Sequence, residues 1–138
     1  MTHMIVIRGL PGSGKSTAAK KFVAGGYTFL EADMFYVDLA GVYDFDYDKR
    51  SDAWAWTKET YANLLRSGQD VVLSGVFPYN RTLQKIKDEC DYMGVSITVL
   101  TAEADHGNIH DVPEEVLAGM KEAWEPLNLT DRYKGRRL

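Results

Sequence analysis

The chain has 138 residues, a net charge of −4, and 45% apolar against 26% charged residues. That length suits a single domain, 1–138, and the mix is that of a globular protein with a core of its own. The acidic balance argues against a protein that coats long nucleic acid, and no apolar run approaches the roughly 20 residues a membrane-spanning helix needs.

The opening residues, MTHMIVIRG, lack the basic start, long apolar middle and small-residue cleavage site of a secretory signal, so a cytoplasmic location is expected. Met4–Arg8 predicts a short buried strand. The stretch GLPGSGKST, Gly9 to Thr17, follows at once. Lys15–Ala24 is made of good helix formers and is stopped by Gly25 and Gly26. YTFLEA, ending at Ala32, predicts a second strand, and the acidic, aromatic YDFDYDK (Tyr43–Lys49) a loop or the start of a helix. From Ser51 to Gly68 the spacing is helical. Ala53, Trp56, Tyr61, Leu64 and Leu65 fall on one side, with Ser51 as cap and Gly68 as stop.

Asp70–Phe77 predicts a third strand, whose unbroken apolar run implies cover on both faces. Asn80–Met93 reads as a helix ended by Gly94, and VSITVLTA as a fourth, β-branched strand. Cys90 is the one cysteine, which excludes an internal disulfide. A last helix is expected over VPEEVLAGMKEAWEPL, with Trp124 packing on Met120 one turn back. The basic tail, Arg132 to Arg137, is a solvated end or a phosphate contact. Alternating strands and helices predict an α/β fold in three layers: a mostly parallel sheet of four to five strands with helices on both faces. Ligands in such sheets bind beyond the C-terminal strand ends.

Gly9, Gly14, Lys15 and Ser16 fit G-x-x-x-x-G-K-[ST] between a predicted strand and helix, the context a phosphate-binding loop requires. Consecutive backbone N–H groups form a concavity for an anion, and the helix N-terminus adds positive potential. Gly12 and Gly14 permit positive φ and close approach. Lys15 reaches the β- and γ-phosphates, Ser16 ligates Mg²⁺, and Thr17 bonds an outer phosphate oxygen. Gly9, Gly12, Ser13, Gly14, Lys15, Ser16 and Thr17 are the candidate nucleotide-binding residues.

The chain has no N-K-x-D base-reading motif of a GTP switch, and VVLSG ends in Ser74 and Gly75 where a strand-end aspartate would hold the metal. The ion can instead be held by the loop hydroxyl, the phosphates and water. FLEAD brings Asp33 to the end of the second strand, at the edge of the phosphate loop. It is read as a general base that takes the acceptor hydroxyl's proton, or as a cap of the turn DMFY; Glu31, on the same strand face, is the fallback base.

RGLPGSGKST, EADMFY, YDFDYDK, AWAW, DVVLSGVF and NIHDVPEEVLAGMKEAWEPL, in that order, resemble the polynucleotide-kinase-like P-loop kinases. This family includes the bacteriophage polynucleotide 5′-kinase domain, and the resemblance covers nearly the whole chain. It implies a P-loop NTPase fold, ATP and Mg²⁺ as cofactors, and transfer of the γ-phosphate to a hydroxyl, in the best-known members the 5′-OH of DNA or RNA. By position Lys15 and Ser16 match the catalytic lysine and metal-linked hydroxyl, and Asp33 the base. Two departures stand out. Tyr36 occupies the place of the arginine that holds the acceptor-side phosphate, and AEADHGNIHD replaces a lid that carries an arginine. His106, His110, Arg81, Arg132, Arg136 and Arg137 are the available substitutes.

Arg81 holds an acceptor phosphate or is a solvent-facing helix charge. Trp54 and Trp56 diverge by about 200° on their helix, so one is either a stacking platform for a base or core. Three functions follow: a polynucleotide 5′-hydroxyl kinase, a kinase of a nucleoside, nucleotide or other small alcohol, and a nucleotide-binding module with little turnover. The partners implied are a nucleoside triphosphate and either the 5′ end of a short nucleic acid or a small metabolite, with no membrane.

Overall fold

The computed structural model describes residues 2–37, 40–103 and 112–130. Strand β1 (His3–Arg8) lies inside the sheet, and its apolar run is explained by what covers it. Met4 and Val6 point into a cluster with Tyr61, Leu65, Leu83, Ile86 and Cys90. Ile5 and Ile7 point the other way, against Ala19, Phe22 and Val72. A strand with two buried faces has no polar side, hence the continuous hydrophobic reading.

The other strands are β2 (Thr28–Glu31), β3 (Val71–Gly75) and β4 (Ser96–Thr101), in the order β2-β3-β1-β4. Every pairing is parallel, with Ile5 opposite Val72 and Thr98, and Leu30 opposite Leu73. Four strands form among the described residues, the lower bound expected. Helix α1 (Lys15–Ala24) covers one face; α2 (Arg50–Arg66) and α3 (Asn80–Met93) cover the other. The chain therefore has the three-layer α/β architecture. No helix among the described residues is long and apolar enough to cross a membrane.

Helices α1 and α3 have the bounds their glycines predict; Gly94 takes a left-handed φ of 76° as C-cap of α3. Helix α2 differs. A 3-10 turn (Tyr47–Lys49) leads into it, with the Asp46 carboxylate accepting from the Asp48 N–H at 3.0 Å. Ser51 thus lies in the first turn and caps nothing. Of the expected face, Ala53, Tyr61 and Leu65 are buried, Trp56 and Leu64 pack half-buried against the same core, and Thr57 joins the buried stripe unexpected. Thr57 can be buried because its hydroxyl donates to the Ala53 carbonyl at 2.7 Å. Trp54 and Trp56 flank that stripe, both half-buried: Trp54 meets the Phe77 ring and Trp56 the Phe35 ring. Neither is an open platform.

The last helix, α4 (Glu114–Ala123), stops short of the expected Leu127. Continuing it would put Pro126 in a helix interior, where it has no N–H and clashes with the preceding turn. Trp124 follows the helix in an extended conformation with its ring on Arg8, and residues 124–130 run along α3. There the Asn80 amide pairs with the Pro126 carbonyl and Asn128 N–H, and the Gln84 amide with the backbone of Thr130.

Candidate active site

All four strands are parallel, so the loops after β1 and β2 leave the same edge of the sheet. One strand, β3, separates them, which sets their ends about 10 Å apart. That gap suits two reacting groups facing each other.

The loop after β1 is a wrapped backbone. Gly12 and Gly14 have φ of 80° and 88°, a region closed to most side chains. A Cβ on Gly9 would overlap the Ser13 hydroxyl and lie 3.0 Å from the Ala102 carbonyl at the end of β4. Gly14 is the N-cap of α1 and no side chain caps the helix, so its first-turn N–H groups remain for an anion. Ser16 and Thr17 are exposed on that turn.

Lys15 is folded over the loop. Its ammonium donates to the carbonyls of Gly9 at 2.7 Å and Leu10 at 3.1 Å, which leaves one of its three donors unassigned. Burial lowers its pKa, and the field of Glu31 partly restores it. Glu31, at the end of β2, is therefore the carboxylate whose charge Lys15 feels across the gap.

Ser13 is buried, and its hydroxyl has no hydrogen-bond partner. An orphaned buried hydroxyl is costly unless a ligand completes it. Beside it an open cleft of about 280 Å³ is lined by Ser13, Gly14, Thr17, Ala18, Lys21, Ala102 and Glu103. Orphaned hydroxyl, uncapped helix and glycine cradle together fit the phosphate tail of a nucleotide. No group of three or more His, Cys, Asp or Glu among the described residues could hold a metal by itself. A magnesium ion here would rely on Ser16 and the nucleotide's own oxygens.

Asp33 lies just past β2, exposed, in the first turn of a 3-10 helix (Ala32–Tyr36). The N-cap position of that helix is Glu31 rather than Asp33. Tyr36 is turned inward, 8% exposed, with its ring 5.0 Å from Phe45 and 6.2 Å from Tyr43. Burial, then the charges of Asp33 and Asp46, raise its pKa. Arg81 is exposed at the start of α3, with its guanidinium 5.7 Å from the Tyr79 ring. The structure thus brings Gly9 to Thr17, Glu31 and Asp33 to one edge and puts Tyr36 in an aromatic cluster. His106, His110, Arg132, Arg136 and Arg137, and most of the shortened lid, lie outside the described residues.

The sequence put Ala102 and Glu103 in the shortened lid without giving either a place at the phosphate loop, and it gave no sign of Arg8's burial. Ala102 and Glu103 join the site because β4 ends beside the phosphate loop, which its pairing with β1 dictates and no local motif signals. Arg8 reads as an ordinary strand end, yet it is 1% exposed.

Residues 4–127 match the protein family described as an AAA domain. Among solved structures, the chain superposes on part of a Pnkp1/Rnl/Hen1 complex with a TM-score of 0.62 at 20% identity, over 86% of this chain and 38% of that one. The chain thus spans under two fifths of that relative's length. A gluconokinase from Sinorhizobium meliloti matches with a TM-score of 0.58 at 23% identity, over 90% of this chain and 75% of that one. The Mycobacterium tuberculosis APS kinase CysC in complex with AMPPNP and APS gives 0.55 at 18% identity, over 86% and 67% of the two chains. At these identities the likeness is one of fold, which the chain shares with a gluconokinase and an APS kinase among others.

Proposed function

The chain belongs to the AAA domain family, and we propose that it is an ATP- and Mg²⁺-dependent phosphotransferase that moves the γ-phosphate to a hydroxyl, with a polynucleotide 5′-OH as acceptor. The observation that carries the transferase reading is the shared sheet edge. A phosphate cradle with a half-buried lysine stands one strand away from two carboxylates.

In this reading the α1 N-terminus and the loop N–H groups bind the phosphates, and Ser13 gains the partner it lacks. Lys15 stabilises charge that builds on the transferring group. Ser16 and the phosphate oxygens would hold Mg²⁺, which supplies further charge neutralisation. Asp33 accepts the proton of the acceptor hydroxyl as its oxygen bonds to the γ-phosphorus; the bond to the β,γ-bridging oxygen breaks, and ADP leaves. Glu31 holds the field at Lys15.

The polynucleotide acceptor rests on the sequence resemblance. One observation favours a second reading, a small alcohol. The face beside β2 carries Asp33, Asp44, Asp46, Asp48 and Asp52 with exposed Tyr43, Phe45 and Tyr47. Such a surface repels a phosphodiester chain. The test is ATP labelled at the γ-phosphate, offered to a 5′-hydroxyl oligonucleotide and, separately, to a pool of nucleosides, nucleotides and sugars. Label on the oligonucleotide, lost in Asp33→Ala, supports the first reading. Label only in the pool supports the second, and no label with tight nucleotide binding defeats both.

A further inference from the structure

Arg8 ends β1 one residue before the phosphate loop. Strand alternation sends its side chain, with Met4 and Val6, to the face covered by α2 and α3 and away from the phosphates. There its Nε donates to the Phe77 carbonyl at 3.1 Å, and one terminal nitrogen to the carbonyls of Pro78 at 3.3 Å and Glu125 at 2.9 Å. The Trp124 ring covers the guanidinium at 3.8 Å. One buried cation thus joins the end of β1, the loop after β3 and the segment after α4.

The loop it grips is strained. Phe77 has a φ of 46° and is the one non-glycine with positive φ among the described residues. Its ring is wedged over Gly75, where a Cβ would lie 2.6 Å from Phe77 Cε2, and meets the Trp54 ring at 5.8 Å. Strain of this kind persists only where the surroundings over-determine it, and it gathers at functional sites. The third anchor is Glu125. Its N–H donates to the Pro78 carbonyl at 2.9 Å, and its carboxylate accepts from the Asn80 N–H at 2.8 Å, capping α3 where Tyr79 supplies no cap.

β3 lies between β1 and β2, so its loop opens between the phosphate loop and Asp33, and the Gly9 N–H donates to the Gly75 carbonyl at 3.2 Å. We propose that Arg8 is a positioning residue: clamped on Trp124, it fixes the loop after β3 against the phosphate loop, so that a segment following α4 sets the seat of the acceptor. The proposal rests on the phosphotransferase reading only for its kinetic consequence. A lysine cannot replace this group, because the three carbonyls and the ring need a planar fork.

The test compares the full chain with Arg8→Lys and Trp124→Leu by hydrogen exchange. In both variants exchange at 76–80 and 124–130 is expected to speed at least tenfold while 4–7 and 71–73 stay unchanged. With a 5′-hydroxyl oligonucleotide as acceptor, its KM rises about tenfold in both, and the KM for ATP moves less than twofold. Unchanged exchange at 76–80 in Trp124→Leu overturns the proposal, as does acceleration spread equally over the strands, or both KM values rising together. Should Arg8→Lys fail to fold, Trp124→Leu alone decides. Should the wild type label no oligonucleotide, the polynucleotide reading fails and the exchange result still decides on Arg8.

Discussion

The Lys15 ammonium donates to the Gly9 carbonyl at 2.7 Å, so the cation is held on its own loop. Burial lowers its pKa below the usual 10.5, with Glu31 pulling the other way. Between the lowered value and 10.5 the unfolded chain binds a proton that the folded chain has released, so stability rises with pH there. Thermal melts of the wild type and Lys15→Met from pH 8 to 10.5 should show the wild type gaining on the variant as pH rises. A constant gap contradicts the burial.

Ser13 separates stability from binding. Its orphaned hydroxyl contributes no bond to the fold, so Ser13→Ala should leave the free protein equally stable or up to about 1 kcal/mol more stable. Nucleotide affinity should nevertheless fall several-fold. Gly9→Ala should do worse, because the added Cβ meets Ser13 and the Ala102 carbonyl and pushes the loop off β4. Urea melts paired with nucleotide titration check both. A Ser13→Ala protein that binds nucleotide as the wild type does would show that the hydroxyl has no ligand.

Cys90 is fully buried on α3, and burial first, then Glu89 and Asp91, push its thiol up to about 12. A thiol protonated at pH 8 and closed to solvent is a poor nucleophile. The native chain should react with a thiol reagent at least a hundredfold more slowly than the chain in urea. Equal rates would mean that α3 does not pack as described.

The phosphate loop was legible because its chemistry is local: glycines that permit positive φ, then a lysine and hydroxyls between a strand and a helix. Helices α1 and α3 were legible for the same reason, since Gly25 and Gly94 mark their ends. On α2 the apolar face was legible in Ala53, Tyr61 and Leu65, but Thr57 was not, because a hydroxyl enters the core only by returning its bond to the Ala53 carbonyl. The end of α4 was misread although Pro126 signalled it. Arg8 carried no signal at all: its partners, Phe77, Pro78, Trp124 and Glu125, are assembled only by tertiary structure.

Asn80 and Gln84 hold the segment 124–130 along α3 through their amides. Gln84→Ala removes its bonds to both the N–H and the carbonyl of Thr130, and should cost about 1–3 kcal/mol in urea unfolding. Limited proteolysis should then cut first between 125 and 130. Cleavage elsewhere first would show that these amides do not anchor the segment.

The proposed joint action of Lys15 and Asp33 across the sheet edge is tested most directly by measuring nucleotide binding and γ-phosphate transfer on the same Asp33→Ala preparation. Nucleotide affinity should stay within about threefold of wild type while transfer drops by about 10²–10⁴. Transfer at the wild-type rate by Asp33→Ala, or a wild type that binds no magnesium nucleotide, would contradict the account.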